Sequence, residues 1–366
     1  MAHNKYRVAV IGAGMIANAA HIPAWKALKQ DVEVIGVADP RQEAARETGQ
    51  RYEVPAVYND PQKMLDDLQP DIVSVCTPNV YHKEWTVAAL KGGAHVFCEK
   101  PIAVTYRQAL EMYQTADQAK RSLYVSQTMR FLNAFSAAKE IAAAGRLGET
   151  YYAEANAIRR RGVPAWGFFH MKEHNAGGPI LDLGVHVLDS MLWIMGNPKV
   201  VAVSCMTYTK FGNRDEGLVT SLADSGAPIG VFTPRQYDYH EFDVEDFASG
   251  FLRLENKATV GFKTSWAVNM SENFSIIVAG TEGSVQLPPL KLLNNLGRYQ
   301  AEITPKVLPD RQVPFPGHYV ATENFIQSLR GEAEMIVRRE EVLNVIRAIE
   351  GLYISAEQGR EIVLSD

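Results

Sequence analysis

The sequence predicts an α/β protein in two parts: an N-terminal Rossmann domain with a doubly wound parallel sheet (residues 1–127), and a C-terminal α+β domain with an open, mainly antiparallel sheet (residues 128–366). Strands alternate with helices through the first part, which implies right-handed βαβ crossovers and parallel pairing. The first strand ends in a glycine-rich turn that opens a helix. Beyond the Gly145 to Gly148 turn, β-rich segments follow one another with few intervening helices, the pattern of antiparallel pairing. A chain of 366 residues, 46% hydrophobic and 22% charged, has room for two cores.

Tyr6 to Ile11 is a short β-branched run that ends at Gly12-Ala-Gly14-Met-Ile-Ala17, after which a helical pattern continues to about Leu28. Gly12 permits a tight turn, Gly14 lets the backbone approach a pyrophosphate, and Ala17 takes the third small position. Gly12, Gly14, Met15 and Ile16 are therefore candidates to face a dinucleotide. Val32 to Ala38 is the second strand, and Asp39 at its end can accept from both hydroxyls of an adenosine ribose, which favours NAD over NADP. Arg41 keeps NADP as the lesser alternative, since a guanidinium there could pair with a 2′-phosphate. Asp39 could also cap the helix from Arg41 to Arg51.

The alternation continues with strands at Asp71–Thr77, Ala94–Cys98 and Leu123–Val125 and helices at Tyr81–Lys91 and Tyr106–Lys120. Ligands of parallel sheets sit at the carboxyl ends of the strands. That places Thr77-Pro78-Asn79 and Glu99-Lys100-Pro101 at the site, with Thr77, Asn79, His82 and Glu99 as cofactor candidates. Asn79 and His82 could reach the nicotinamide ribose, or belong to an ordinary turn and helix start. Lys100 follows a buried strand on a loop stiffened by proline, which points its ammonium where cofactor and substrate would meet.

Residues 179–195 read as one helix, with Pro179 at its first position and Gly196 and Pro198 beyond its end. Its face is apolar except for Asp182, His186 and Asp189, whose i, i+4, i+7 spacing makes one polar stripe. Such a stripe costs stability unless each group has a partner or a task. It is either a core histidine satisfied by a nearby carboxylate or part of an active site.

Gly12-Ala-Gly14, Thr77-Pro78-Asn79, Glu99-Lys100-Pro101, the helix carrying Asp182 and His186, and the Gly280-Thr-Glu-Gly283 turn together resemble the Gfo/Idh/MocA family of oxidoreductases over nearly the whole chain. The resemblance implies hydride transfer between NAD and a ring hydroxyl of a carbohydrate or inositol. His186 is the expected general base, because an imidazole titrates near working pH. Asp182 orients it or accepts from a substrate hydroxyl, and Lys100 favours the developing alkoxide. The resemblance also implies that the open C-terminal sheet packs on another copy, as a homodimer or homotetramer. Two readings stay beside this one. Some relatives cleave glycosides through transient oxidation, elimination and hydration, and an anionic uronate or sulfonated sugar would suit the arginines. A non-catalytic nucleotide sensor would lack one of the three catalytic groups.

In the second part a helix at Phe131–Ala144 precedes strands at Tyr151–Arg160, Val200–Thr209, Gly217–Ala223, Phe247–Leu254, Thr259–Trp266 and Phe274–Val278, and helices at Tyr319–Arg330 and Arg339–Gln358 close the chain. Arg159, Arg161 and Trp166 lead into the polar helix and are substrate-facing candidates; the alternative for the arginines is a solvated strand edge. His170 and His174 stand four apart without a third ligand and read as exposed loop histidines. Asp238, His240, Glu241 and Asp243 form a polar loop without an assigned role. Cys76, Cys98 and Cys205 lack C-x-x-C spacing, so neither a disulfide framework nor a metal site is expected. A net charge of −5 without a basic block argues against a nucleic-acid partner. No apolar run approaches the ~20 residues of a membrane span, and the first residues show no signal-like segment, so a cytoplasmic protein is expected.

Overall fold

The computed structural model describes residues 5–215, 230–232 and 235–364. β1 (Tyr6–Ile11), β2 (Val32–Ala38), β3 (Ala56–Tyr58), β4 (Ile72–Val75), β5 (His95–Cys98) and β6 (Leu123–Val125) form a parallel sheet in the order β3-β2-β1-β4-β5-β6. Strand order reverses between β1 and β4, which opens a crevice at their carboxyl ends, the usual place for a dinucleotide. The helices between them are α1 (Ile22–Ala27), entered through a π-helical turn at Ala17–His21, then α2 (Gln42–Tyr52), α3 (Pro61–Leu68), α4 (His82–Lys91) and α5 (Tyr106–Ala119). β3 and α3 are additions to the expected elements. Both are too short for periodicity to mark, although Asp60 accepting from the Gln62 and Lys63 N–H groups, with Pro61 behind it, is an ordinary helix start.

The second part begins with α6 (Asn133–Ala143), β7 (Thr150–Ile158), the short α7 (Lys172–Asn175) and α8 (Val185–Ile194), the last entered through a π-helical turn at Ile180–Gly184. Then follow β8 (Val200–Tyr208), β9 (Phe247–Leu254), β10 (Thr259–Ser265), β11 (Asn273–Gly280), β12 (Gly283–Leu287), β13 (Lys291–Leu296) and β14 (Tyr299–Ile303). α9 (Pro316–Leu329), α10 (Arg339–Gln358) and β15 (Ile362–Val363) end the chain. The sheet runs β14-β13-β12-β11-β7-β10-β9-β8-β15 and is antiparallel except for the β7–β10 pair. The expected strand at Gly217–Ala223 lies outside the described residues.

Alternation in β10 is clean: Val260, Phe262 and Thr264 are fully buried, while Thr259, Gly261 and Lys263 stay half-buried on the other face. The inward face of β10 packs against the π-helical turn at Ile180–Gly184, while α8, whose Val187, Leu188, Met191 and Leu192 are buried in the same core, packs on β7 and β11. α9 crosses back to the first sheet. Its Phe325 meets Phe97 and Tyr124, rings that stack 5.5 Å apart in the N-terminal core, so a late segment of chain completes the first core.

Candidate active site

One cleft of about 1280 Å³ runs from the β1 turn across the ends of β4 and β5 to the start of α8. That exceeds the roughly 300–1,000 Å³ of a single-ligand pocket and leaves room for a dinucleotide with a second, smaller molecule.

At the dinucleotide end, Gly12 has φ +97°, and a Cβ there would lie 2.6 Å from the Cys76 carbonyl oxygen, so the turn needs glycine. A Cβ on Gly14 would meet nothing within 4 Å, so its backbone lies open to the cleft, as a pyrophosphate requires. Met15 and Ile16 line the cleft beside it. Asn18 holds the turn from behind: its Nδ2 donates to the carbonyls of Ala13 at 3.0 Å and Gly14 at 2.9 Å. Asp39 accepts from the Ala13 N–H at 2.9 Å and from the Arg41 backbone N–H at 2.9 Å. The Arg41 guanidinium lies on the same carboxylate at 3.1 Å, so Arg41 serves Asp39 here rather than standing apart as a phosphate ligand. Asp39 does not cap α2, whose first turn has no side-chain cap.

Thr77 and Asn79 line the middle of the cleft. The Thr77 hydroxyl is buried without a hydrogen-bond partner among the described residues, and Asn79 donates to the Asn175 carbonyl at 3.0 Å. The expectation for His82 is corrected. Its ring lines the cleft but sits between the carbonyls of Pro101 at 2.7 Å and Thr77 at 2.9 Å, and since burial lowers the imidazole its one N–H donates to one of them, so both ring nitrogens face the protein's own backbone rather than a ribose. Glu99 is likewise engaged by protein: Oε1 accepts from His21 at 2.7 Å and His318 at 3.1 Å, and Oε2 from the Lys100 backbone N–H at 3.0 Å.

At the reacting end, the Lys100 ammonium donates to Asp182 twice, to its carbonyl at 3.0 Å and to Oδ1 at 3.2 Å. Trp266 Nε1–H donates to the other carboxylate oxygen at 2.9 Å. Burial alone would raise the Asp182 carboxyl, but Lys100, Arg159 and the Trp266 hydrogen bond outweigh it and hold the group below its ordinary value. His186 lines the cleft one turn on, with Nδ1 buried and unpartnered among the described residues. Burial, assisted by the Lys100 cation, pushes its imidazole down to about 3. The expectation that it titrates near working pH is therefore corrected: His186 is neutral at physiological pH, with a lone pair to offer.

Asp189 does not belong to this stripe. Both its oxygens accept from Arg130, at 2.8 and 2.6 Å, a buried pair, and Arg130 also bonds the half-buried Glu341 on α10. His186 and Asp189 both lie in α8, three residues and so about 60° apart around the helix, and Asp189 turns from the cleft toward Arg130; the π-helical turn at Ile180–Gly184 precedes them both. That turn starts from Glu245, which accepts from the N–H groups of Gly178 at 2.9 Å and Ile180 at 3.1 Å and from the Tyr353 hydroxyl at 2.8 Å.

Arg159 and Trp166 line the cleft, with Trp166 packed edge-on against Phe169, centroids 4.5 Å apart. Arg161 is corrected: it bonds the Val268 carbonyl at 3.0 Å and Asn269 at 2.7 Å and lies over the Phe211 ring, away from the cleft. His170 is buried rather than exposed, packed on Tyr237, whereas His174 borders the cleft beside Tyr81. His318 also lines the cleft and was not among the expected residues, since nothing local in the sequence marks it.

Two family models and several known proteins match the chain. Residues 6–127 match a model described as an oxidoreductase family, NAD-binding Rossmann fold, and residues 135–286 match one described as the GFO/IDH/MocA C-terminal domain. D-glucoside 3-dehydrogenase of Escherichia coli K12 is 33% identical over 367 residues, covering 100% of this chain and 99% of that protein. scyllo-Inositol 2-dehydrogenase (NADP(+)) IolW of Bacillus subtilis is 26% identical, covering 98% and 96%. Levoglucosan dehydrogenase, solved with NADH and levoglucosan, shares the fold with a TM-score of 0.82 at 18% identity, covering 99% of this chain and 100% of that one.

Proposed function

The chain belongs to the Gfo/Idh/MocA family of NAD-binding oxidoreductases, and from that premise we propose that it oxidises a ring hydroxyl of a sugar, with a glucoside as the first candidate substrate. The observation that carries the proposal is the meeting of Lys100, Asp182 and neutral His186 in the same cleft as the open Gly14 backbone and Asp39. Bound NAD supplies the hydride acceptor.

The chain's own groups divide the remaining work. A secondary alcohol that loses its C–H as hydride must also lose its O–H proton, and the His186 lone pair takes that proton. Lys100 spends two N–H donors on Asp182 and keeps a third for the reacting oxygen, where positive charge favours the alkoxide over the alcohol. Asp182, ionised and held by Trp266, keeps the ammonium charged and aimed. Asp39 would receive the adenosine ribose hydroxyls once Arg41 swings off it, and its charge opposes a 2′-phosphate. A carbohydrate is favoured because the cleft pairs these polar groups with Trp166 and Phe169, an aromatic wall of the kind that holds an amphipathic ring.

The test is NADH formation with NAD, then NADP, across glucosides, free aldoses, uronates and inositols, with each mixture analysed for released sugar. Sustained NADH and a keto-sugar product support the proposal. Release of sugar from a glycoside without net NADH would replace it with redox-assisted glycoside cleavage.

A further inference from the structure

Beneath Lys100 lies a buried chain of polar groups that the proposed chemistry does not use. Trp25 Nε1–H donates to the Ser74 hydroxyl at 3.1 Å, and Ser74 Oγ sits 2.7 Å from His21 Nδ1. Burial lowers the His21 imidazole and Glu99 is an ionised acceptor, so His21 carries its proton on Nε2 and its Nδ1 accepts from the Ser74 hydroxyl, which in turn accepts from Trp25. The His21 Nε2–H meets Glu99 Oε1 at 2.7 Å, His318 Nε2 meets the same oxygen at 3.1 Å, and the Lys100 backbone N–H meets Oε2 at 3.0 Å. Every donor along this line has one acceptor. His21, Glu99 and His318 are 0%, 5% and 6% exposed, so each lost bond would strand a buried polar group. Burial would raise the Glu99 carboxyl, yet the two histidine hydrogen bonds hold it well below its ordinary value, so it is ionised.

Two further features converge on His318. Phe315, the residue before α9, sits at φ +52°, a left-handed conformation that a bulky side chain adopts at a cost. Gly317 approaches Thr128 so closely that a Cβ would lie 2.3 Å from its carbonyl oxygen. The His318 imidazole thus reaches Glu99 from a segment that carries a left-handed residue at 315 and admits no side chain at 317.

We propose that His318 is a positioning residue for Lys100: by donating to Glu99 it fixes the carboxylate on the Lys100 backbone N–H and so aims the ammonium at Asp182. The proposal rests on Lys100 serving the reaction described above. It assigns a task in the site to α9, an element more than 200 residues distant in sequence. The same three side chains have ligating atoms within 4.8 Å of one another, the spacing of a metal site, but the completed donor–acceptor order assigns them to hydrogen bonding.

The test compares His318→Phe, which keeps a ring and removes the donor, with His318→Gln, whose Nε2–H can replace it. Hydrogen exchange at the Lys100 amide should accelerate at least about 10-fold in His318→Phe and stay near wild type in His318→Gln. With NAD and methyl β-D-glucopyranoside, kcat should fall about 10²-fold in the Phe variant, as for a displaced catalytic group, while KM for NAD changes less than about twofold. The Gln variant should recover most of the loss. His318→Leu serves if the Phe variant does not fold. Unchanged Lys100 exchange in a folded donor-less variant, or equal damage in the Gln and Phe variants, would overturn the proposal. So would one bound transition metal per chain in the purified protein. Lys100→Met separates this inference from the chemistry beneath it: an inactive Lys100→Met beside an unimpaired His318→Phe removes only the positioning role, whereas turnover surviving in Lys100→Met removes both.

Discussion

His186 and Asp189 lie three residues apart on one helix and should respond to substitution in opposite ways. His186→Leu removes an imidazole whose Nδ1 is buried without a partner among the described residues, and whose charged form is already suppressed. No observed side-chain bond at Nδ1 breaks, and an apolar group of similar size takes its place. Folding stability should stay within about 1 kcal/mol of wild type, on the stabilising side. Turnover should fall by about 10²–10⁴, the usual worth of a general base, or about 3–5 kcal/mol of barrier. Asp189→Asn does the reverse. It leaves Arg130, 1% exposed and held at 2.8 and 2.6 Å, with only Glu341 as its counter-charge. Breaking a buried pair in this way should cost about 3 kcal/mol or more, while the cleft, which Asp189 does not line, keeps its chemistry in whatever fraction folds. Urea unfolding gives the stabilities, nicotinamide fluorescence gives cofactor affinity, and NADH formation per folded molecule gives turnover. An active but unstable His186→Leu would refute the assignment, as would a stable but inactive Asp189→Asn.

Three further outcomes follow from the same geometry. Asp39→Ser removes the ribose acceptor and frees Arg41, so kcat/KM with NAD should fall about 10²-fold, the worth of two charge-assisted hydrogen bonds, while NADP gains; cofactor-dependence assays on the variant decide it. Gly12→Ala meets both a positive φ and a carbonyl oxygen 2.6 Å from the new Cβ, so it should cost about 3 kcal/mol or more and weaken cofactor binding, read by thermal unfolding with and without NAD. The third is a pH effect. The folded His186 imidazole binds its proton only near about 3, whereas the unfolded one does so from 6.5 downward. Its contribution is therefore in place above 6.5 and is lost as pH falls toward 3, by up to about 1.4 kcal/mol per pH unit. His186→Leu should flatten that part of the stability profile relative to wild type, checked by urea midpoints from pH 7 to pH 5.

The residues of the candidate site differ in how far sequence alone could reach them, and the difference is physical. The glycine turn, Asp39 and Lys100 are legible because each owes its place to local chain geometry, a strand that ends and a turn that must follow. Asp182 and His186 are legible for the same reason, as one turn of one helix. Asp189 falls outside the stripe because three residues on α8 set it about 60° from His186, and the buried Arg130 that takes it up comes from 59 residues away, which no local pattern marks. β13 and β14 carry no strand signal, because Leu292-Leu-Asn-Asn-Leu and Tyr299-Gln-Ala-Glu lack the alternation that marks a half-buried strand, and these strands lie at the sheet's outer end, where burial does not impose it. Arg161 and His82 differ in the opposite direction. Each carries a group that could serve a ligand, and each turns it to the protein's own backbone carbonyls. Residue type near a motif thus nominates a group for chemistry, but whether it does chemistry or holds the frame is decided by partners that fold in from elsewhere, as His318 does for Glu99 across 219 residues of chain.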